Sequence, residues 1–283
     1  MATAENITVS FTKMSGAGND FIMITNMDNR LELDWPTFAV KYCTARTGIG
    51  ADGVILLEPD EDTDFAFRIF NADGSEAEMC GNGARCAAAL AFDQAIAGES
   101  MHFRTLAGII EARCSGTDTA IRMTDPSRVE NRITLDVDGT REIVHFINTG
   151  VPHAIVITDR IEEAPVEAVG RAIRRHRHFA PEGTNVDFVQ VLGLNHIQVR
   201  TYERGVEAET LACGTGAVAS AICCSEGGKI SSTPVQVTMK GGELKIDFTR
   251  EKGSYRDVWL MGPVVTVFTG EVILKPCAGF SPA

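Results

Sequence analysis

Met79-Cys-Gly-Asn-Gly-Ala-Arg-Cys-Ala-Ala-Ala-Leu-Ala-Phe92 and Ala212-Cys-Gly-Thr-Gly-Ala-Val-Ala-Ser-Ala-Ile-Cys-Cys224 state one design twice. In each, a Cys-Gly-X-Gly-Ala turn opens into a run of small and apolar residues, and the spacing predicts helices over 82–97 and 215–226. A surface helix shows an apolar stripe, whereas one that is apolar almost all round is buried on every side. A buried helix among many short strands implies sheets wrapped around it, and the repeat implies that this happens twice.

The flanks repeat as well. Arg68-Ile-Phe-Asn-Ala-Asp-Gly-Ser-Glu-Ala-Glu78 leads into Cys80, and Arg200-Thr-Tyr-Glu-Arg-Gly-Val-Glu-Ala-Glu-Thr210 leads into Cys213. Gly18-Asn-Asp-Phe-Ile-Met-Ile24 is matched by Gly150-Val-Pro-His-Ala-Ile-Val-Ile157, a glycine turn feeding an apolar strand. Period-two alternation marks strands over 7–11, 65–70, 109–114, 143–147, 196–202, 244–248 and 264–268. Asp136-Val-Asp-Gly139 and Lys240-Gly-Gly242 read as hairpin turns, so the sheets should be mostly antiparallel. Two amphipathic segments, 35–45 and 165–178, should lie on the outside. The expected fold class is therefore α+β: two pseudo-symmetric domains, each of mostly antiparallel strands around a central buried helix. The boundary is expected near 124–127, where Asp125-Pro126 interrupts the pattern. Residues 1–124, completed by about 265–283, form one half carrying Cys80, and 125–264 form the other, carrying Cys213.

With 283 residues, 44% hydrophobic and 23% charged, the chain can bury a sizeable core. A net charge of −12 argues against nucleic acid or a membrane surface as partner, since both call for basic patches. The basic run Arg174-Arg175-His176-Arg177-His178 follows an acidic stretch at helical spacing and reads as a solvated helix face. No apolar run is long enough to span a bilayer, and the first residues lack the basic and apolar regions of an export signal, so a cytoplasmic protein is expected. Eight cysteines in a chain of this length do not form a disulfide scaffold, and their spacing fails as a zinc site, so no metal is expected. Cys43, Cys86, Cys114, Cys223, Cys224 and Cys277 read as small core hydrophobes. That leaves Cys80 and Cys213.

A glycine-rich turn at a helix start exposes unpaired N–H groups and the positive end of the helix dipole. Such a start binds a carboxylate and lowers a thiol's pKa. Two of them aimed at one point could hold an amino acid's α-carboxylate while one thiolate takes the α-proton from one face. The opposite thiol would give a proton to the other face. That is two-base inversion at carbon. It needs no cofactor, and no dinucleotide or phosphate motif is present. A lone Cys-Gly would instead read as a core cysteine beside a turn; the second copy is what favours chemistry.

These residues resemble diaminopimelate epimerases over essentially the whole chain. The likeness rests on Lys13-Met-Ser-Gly-Ala-Gly-Asn-Asp-Phe21, Gly48-Ile-Gly-Ala-Asp-Gly53, Phe70-Asn-Ala-Asp-Gly-Ser-Glu76, Met79-Cys-Gly-Asn-Gly-Ala-Arg-Cys86, Gly183-Thr-Asn-Val-Asp187, Tyr202-Glu-Arg-Gly205 and Glu209-Thr-Leu-Ala-Cys-Gly-Thr-Gly-Ala217. It implies a cofactor-independent epimerase that interconverts LL- and meso-diaminopimelate, a small diamino-dicarboxylic acid of lysine and peptidoglycan synthesis. Cys80 and Cys213 match the family's acid/base pair. Gly81-Asn82 and Gly214-Thr215 match the loops that bind the reacting carboxylate. Asn19, Asn71, Asn185, Glu203 and Arg204 match substrate-binding positions, with Arg204 suited to the distal carboxylate. Glu203 and His153 match residues that contact the amino group or support the thiols. A homodimer is common in the family, although no stretch of this sequence demands one. Two departures bear on side-chain recognition: Val151 stands where many members have Asn, and Gly53 where many have Gln.

Blander readings and rival functions stand beside these. His153 could be a satisfied structural histidine, and Glu203-Arg204 an exposed ion pair. Another cofactor-independent racemase on the same scaffold is an alternative, but proline racemases usually carry His where this chain has Asn82. A non-catalytic relative that inherited the fold is the other, against which both cysteines and both glycine loops survive.

Overall fold

In the computed structural model, which describes residues 6–115, 118–251 and 253–274, the chain divides into two compact units. One comprises Met1–Ile121 with Pro263–Ala283, and the other Arg122–Gly262.

The first unit begins with β1 (Ile7–Gly16) and β2 (Asn19–Thr25), an antiparallel pair, followed by helix α1 (Trp35–Tyr42). Next come β3 (Gly53–Glu58), β4 (Phe65–Asn71) and the short β5 (Glu76–Ala77). Helix α2 (Gly81–Asp93) leads to β6 (Ser100–Thr105), β7 (Gly108–Ser115) and β8 (Asp118–Arg122). The pairings β2–β3 and β4–β6 are parallel; β1–β2, β3–β4, β6–β7 and β7–β8 are antiparallel. The C-terminal strand Val265–Leu274 lies antiparallel on β1.

The second unit repeats that order. It runs β9 (Ser127–Val137), β10 (Thr140–Asn148), β11 (Pro152–Ile157), α3 (Val166–Arg174), β12 (Asn185–Gly193), β13 (His196–Glu203) and β14 (Ala208–Thr210). It ends with α4 (Gly214–Glu226), β15 (Val235–Met239), β16 (Gly242–Glu251) and β17 (Ser254–Pro263). Again two pairings, β11–β12 and β13–β15, are parallel among antiparallel ones. β9 pairs with β10 as the C-terminal strand pairs with β1, so the last strand of the chain supplies in the first unit what β9 supplies in the second. The hairpin between β9 and β10 turns on Asp138 and Gly139 at φ 51° and 82°, the double left-handed geometry that Asp-Gly accommodates.

β2 and β3 are covered on both faces, which explains why they read as continuous apolar runs rather than alternating ones. Ile22, Ile24, Val54, Leu56 and Phe70 pack with Trp35 and Phe38 of α1. Phe21 and Ile55, one residue out of phase, meet α2 at Gly83, where an added Cβ would come within 2.7 Å of Ile55 Cδ1. Phe38 has no exposed surface, and burying such a side chain stabilises by about 1.5–3 kcal/mol. In the second unit Ala154, Val156, Val186 and Phe188 pack with Val166 and Ile173 of α3. Helices α2 and α4 are buried from Asn82 to Ala91 and from Gly216 to Cys224, as their composition implied.

Three helices are shorter than their sequence pattern suggests. α2 ends at Asp93 because Ala95 turns left-handed (φ 54°). The amides of Ala95 and Ile96 then bond back to the carbonyls of Phe92 and Ala91, closing the helix. α1 stops at Tyr42, and its start is capped by Asp34, whose carboxylate accepts from Thr37 N at 3.2 Å. α3 stops at Arg174, before a single tight turn at Arg177–Phe179. The basic run at this end is tied down by Glu207, which pairs with Arg174 at 3.0 Å and Arg175 at 3.3 Å. Cys43, Cys86, Cys114, Cys223 and Cys224 are buried free thiols; Cys277 lies outside the described residues. Among the described residues, no helix is long and apolar enough to cross a membrane.

Candidate active site

Both cysteines of the repeated motif occupy the N-cap of a buried helix. Cys80 caps α2 with an extended backbone (φ −137°, ψ 121°), and Cys213 caps α4 likewise (φ −128°, ψ 109°). Their carbonyls accept the first helical bonds, from Ala84 N at 2.7 Å and Ala217 N at 2.9 Å. The first-turn amides of both helices have no intrahelical carbonyl to bond, which suits such a start to an anion, and at α4 the Gly216 amide turns toward the Cys213 thiol. Gly83, Gly214 and Gly216 each let a strand side chain approach the helix: an added Cβ would meet Ile55, Leu260 and Asp187 respectively.

In the second unit, strand register gathers the polar candidates. His153 of β11 pairs with Asn185 of β12, and Val186 pairs with Tyr202, so His153, Asn185 and Glu203 lie along one edge of three adjacent strands. Asn185 Oδ1 accepts from Arg204 N at 2.7 Å, fixing the bend after β13. His153, wholly buried, holds Nδ1 2.7 Å from Asp187 Oδ2, and its Nε2 lies 3.4 Å from Asn185 Nδ2. The carboxylate accepts the Nδ1 proton, which leaves Nε2 as the acceptor for the amide. His153 is therefore held on both sides. Asp187 has no role in the sequence reading, and its signal is a carboxylate between the apolar Val186 and Phe188. It also accepts from Thr201 Oγ1 at 2.7 Å, and its Oδ1 sits where a Cβ on Gly216 would come within 2.4 Å. Asp187 thus joins the β-row to the start of α4.

The electrostatics around Cys213 favour the neutral thiol. Burial pushes its pKa up, and the Glu203 and Asp187 carboxylates push it further. Thr215 Oγ1 lies 3.4 Å from Cys213 Sγ, and the Thr215 carbonyl accepts from Thr149 Oγ1 at 3.3 Å. Burial also raises the Glu203 carboxyl above the ordinary range. No ion pair joins Glu203 to Arg204 among the described residues, and the Arg204 guanidinium donates to the Glu182 carbonyl at 3.4 Å.

In the first unit Cys80 is half-buried, and Asn82, one residue into α2, is buried. Asn82 Nδ2 donates to Asn19 Oδ1 at 2.7 Å, bringing the start of β2 to the helix start. Asn71 ends β4 opposite Gly53, and Ala72 N donates to the Asp52 carbonyl at 3.1 Å. Asn71 therefore lies on the strand end beside Asp52 rather than in the Asn19–Asn82 contact, and its own Nδ2 donates to Ser75 Oγ at 2.9 Å. Gly53 is dictated by close strand approach: a Cβ there would meet the Phe70 carbonyl oxygen at 2.7 Å. Val151 lies in the turn between β10 and β11, where its carbonyl accepts from Thr149 N at 3.1 Å.

A family model for diaminopimelate epimerase matches residues 11–129 and 145–267. A curated diaminopimelate epimerase of Aquifex aeolicus (strain VF5) is 46% identical over 276 residues, covering 93% of this chain and 98% of that protein. One from Hydrogenobaculum sp. (strain Y04AAS1) is 44% identical over 272 residues, covering 92% and 96%. Among solved structures, a phenazine biosynthesis protein of the PhzF family from Bacillus anthracis superposes with a TM-score of 0.75 at 15% identity, covering 94% of this chain and 99% of that one. A probable proline racemase from Agrobacterium radiobacter K84 does so with a TM-score of 0.67 at 18% identity, covering 96% and 94%. At those identities the two structures speak for a shared fold only. The sequence relatives go further, and by them the chain belongs to the diaminopimelate epimerase family.

Proposed function

We propose that this chain interconverts LL- and meso-diaminopimelate by two-base proton transfer between Cys80 and Cys213, with no cofactor. The observation that carries the reading is the repeated helix start: each unit presents a cysteine with an extended backbone at the N-cap of a buried helix. In the proposed reaction the Cα–H bond breaks toward the thiolate on one face, and the electron pair passes into the α-carboxylate. The amides at Gly81-Asn82 and Gly214-Thr215 stabilise the added charge. The opposite S–H then breaks, its proton goes to Cα on the other face, and the thiol and thiolate have exchanged places. Either cysteine can be the base, depending on the stereoisomer bound. The raised pKa of Cys213 supports a resting state in which Cys213 is the proton donor. In this reading His153, whose ring is held by Asp187 and Asn185, and Glu203 receive the substrate amino group or support the Cys213 thiol. Asn19, Asn71, Asn185 and Arg204 complete the substrate contacts, Arg204 taking the distal carboxylate bidentately.

The reading includes a cytoplasmic protein, because free thiolates need a compartment that keeps them reduced. It also includes a homodimer, which a solution molar mass from light scattering would test directly. The chemical test is α-proton exchange in D2O without added cofactor, across LL- and meso-diaminopimelate, lysine, histidine and proline. Deuterium entering diaminopimelate alone, with conversion between its isomers, is the expected result. Exchange into another amino acid would keep the mechanism and discard the substrate, and no exchange by folded, reduced protein would discard both.

A further inference from the structure

A chain of hydrogen bonds in the first unit runs from a buried cation to an exposed carboxylate through two of the proposed substrate-binding amides. Arg85, in the second turn of α2, is 0% exposed. Its Nη2 donates to Asn82 Oδ1 at 3.0 Å. Asn82 Nδ2 donates to Asn19 Oδ1 at 2.7 Å, and Asn19 Nδ2 donates to Asp52 Oδ2 at 2.8 Å. A carboxamide taken alone can be turned either way, because its oxygen and nitrogen have the same shape. Here the two ends remove the choice. A guanidinium only donates and a carboxylate only accepts, so Asn82 must offer Oδ1 to Arg85 and Asn19 must offer Nδ2 to Asp52. The contact between the two amides then has one direction, and each keeps one N–H outside the chain.

We propose that Arg85 and Asp52 are positioning residues that hold the amides of Asn82 and Asn19 with an N–H turned to the substrate carboxylate. The inference rests on the epimerase reading above for what is bound, and on the relay alone for how the amides are held. A flipped Asn82 would set its oxygen against the incoming carboxylate and its NH2 against the guanidinium, so orientation matters for binding. Among the described residues, nothing comparable serves the other helix start. The residue of α4 in the place of Arg85 is Val218, fully buried among apolar neighbours. Arg85 Nε and Nη1 find no hydrogen-bond partner among the described residues, so Asn82 is the acceptor that anchors this guanidinium. A cation is an expensive residue to bury, and its direction-setting bond gives it a reason to be there.

The test uses the full chain, with LL-diaminopimelate as substrate. Asp52 is exposed, so Asp52→Ala should fold as the wild type does. It should raise KM about tenfold with kcat little changed, as expected for loss of a charge-assisted bond. Asp52→Asn, whose carbonyl can still accept, should recover KM to within about twofold. Arg85→Lys should also raise KM, and the double variant should be no worse than the worse single one, since both break one chain. A KM for Asp52→Ala within twofold of wild type, or losses that multiply, would overturn the proposal. A second readout is independent of activity. In nitrogen–proton correlation spectra, Asp52→Ala should move the side-chain NH2 signal of Asn82, to which Asp52 is joined only through Asn19. An unmoved signal overturns the relay. If the wild type shows no α-proton exchange, the epimerase reading fails and this spectrum still decides whether the relay exists.

Discussion

Gly216→Ala is the substitution whose outcome the geometry constrains most. Gly216 lies in the first turn of α4 with no left-handed φ, so the backbone alone would welcome alanine and gain about 1 kcal/mol of helix propensity. The surroundings oppose it. A Cβ would sit 2.4 Å from Asp187 Oδ1 and 3.2 Å from both Asp187 Cγ and Thr201 Oγ1. Asp187 would have to move, and it has no exposed surface into which to move. Its bonds to His153 Nδ1 and Thr201 Oγ1, both 2.7 Å, would lengthen together. Hydrogen bonds to a charged group contribute about 1.5–3 kcal/mol each, so losing two against the propensity gain leaves a net destabilisation of about 2–5 kcal/mol. Urea unfolding at neutral pH would measure it, with Gly98→Ala as the control, since nothing lies within 4 Å of a Cβ at Gly98. The control should stay within about 0.5 kcal/mol of wild type. A Gly216→Ala protein as stable as wild type, or more so, would refute the account of why Asp187 and α4 require glycine between them.

Alkaline pH should weaken the fold through its buried thiols. Burial raises the Cys86 thiol from 9.0 to about 12, so its contribution is full below about pH 9 and is lost as pH rises toward 12, where the unfolded chain releases the proton first. Between those limits Cys86→Ala should lose stability less steeply than wild type, by about 1.4 kcal/mol per pH unit; equal slopes would contradict the assignment. Glu209→Gln should destabilise by about 2–3 kcal/mol in thermal or urea unfolding. It breaks a bidentate pair with Arg200 at 2.7 and 2.8 Å whose side chains are 13% and 12% exposed, and it leaves the arginine without its counter-charge. A change under 0.5 kcal/mol would show that solvent screens the pair.

Local chemistry made the helix starts and the hairpins legible: Cys-Gly-X-Gly-Ala repeated before two all-apolar runs, and Asp138-Gly139 between alternating strands. The end of α2 was less legible, because Ala95 carries no mark of the left-handed turn it adopts. What the linear pattern could not convey was register. His153, Asn185 and Glu203 come together because β11 and β12 are parallel, and β12 and β13 antiparallel, each in one alignment. The burial of Arg85 follows from α2 being enclosed on every side, but the partner its guanidinium finds at Asn82 is not legible in the sequence. Gly53 likewise depends on how closely β3 and β4 approach, which no local pattern encodes.

The central claim is that inversion needs both thiols, and the most direct measurement is epimerisation of LL-diaminopimelate by Cys80→Ala and by Cys213→Ala, each checked for folding. The account requires that each substitution abolish conversion between the isomers, because each removes the only acid/base group on one face of the α-carbon. Conversion at near wild-type rate by either single variant would contradict it.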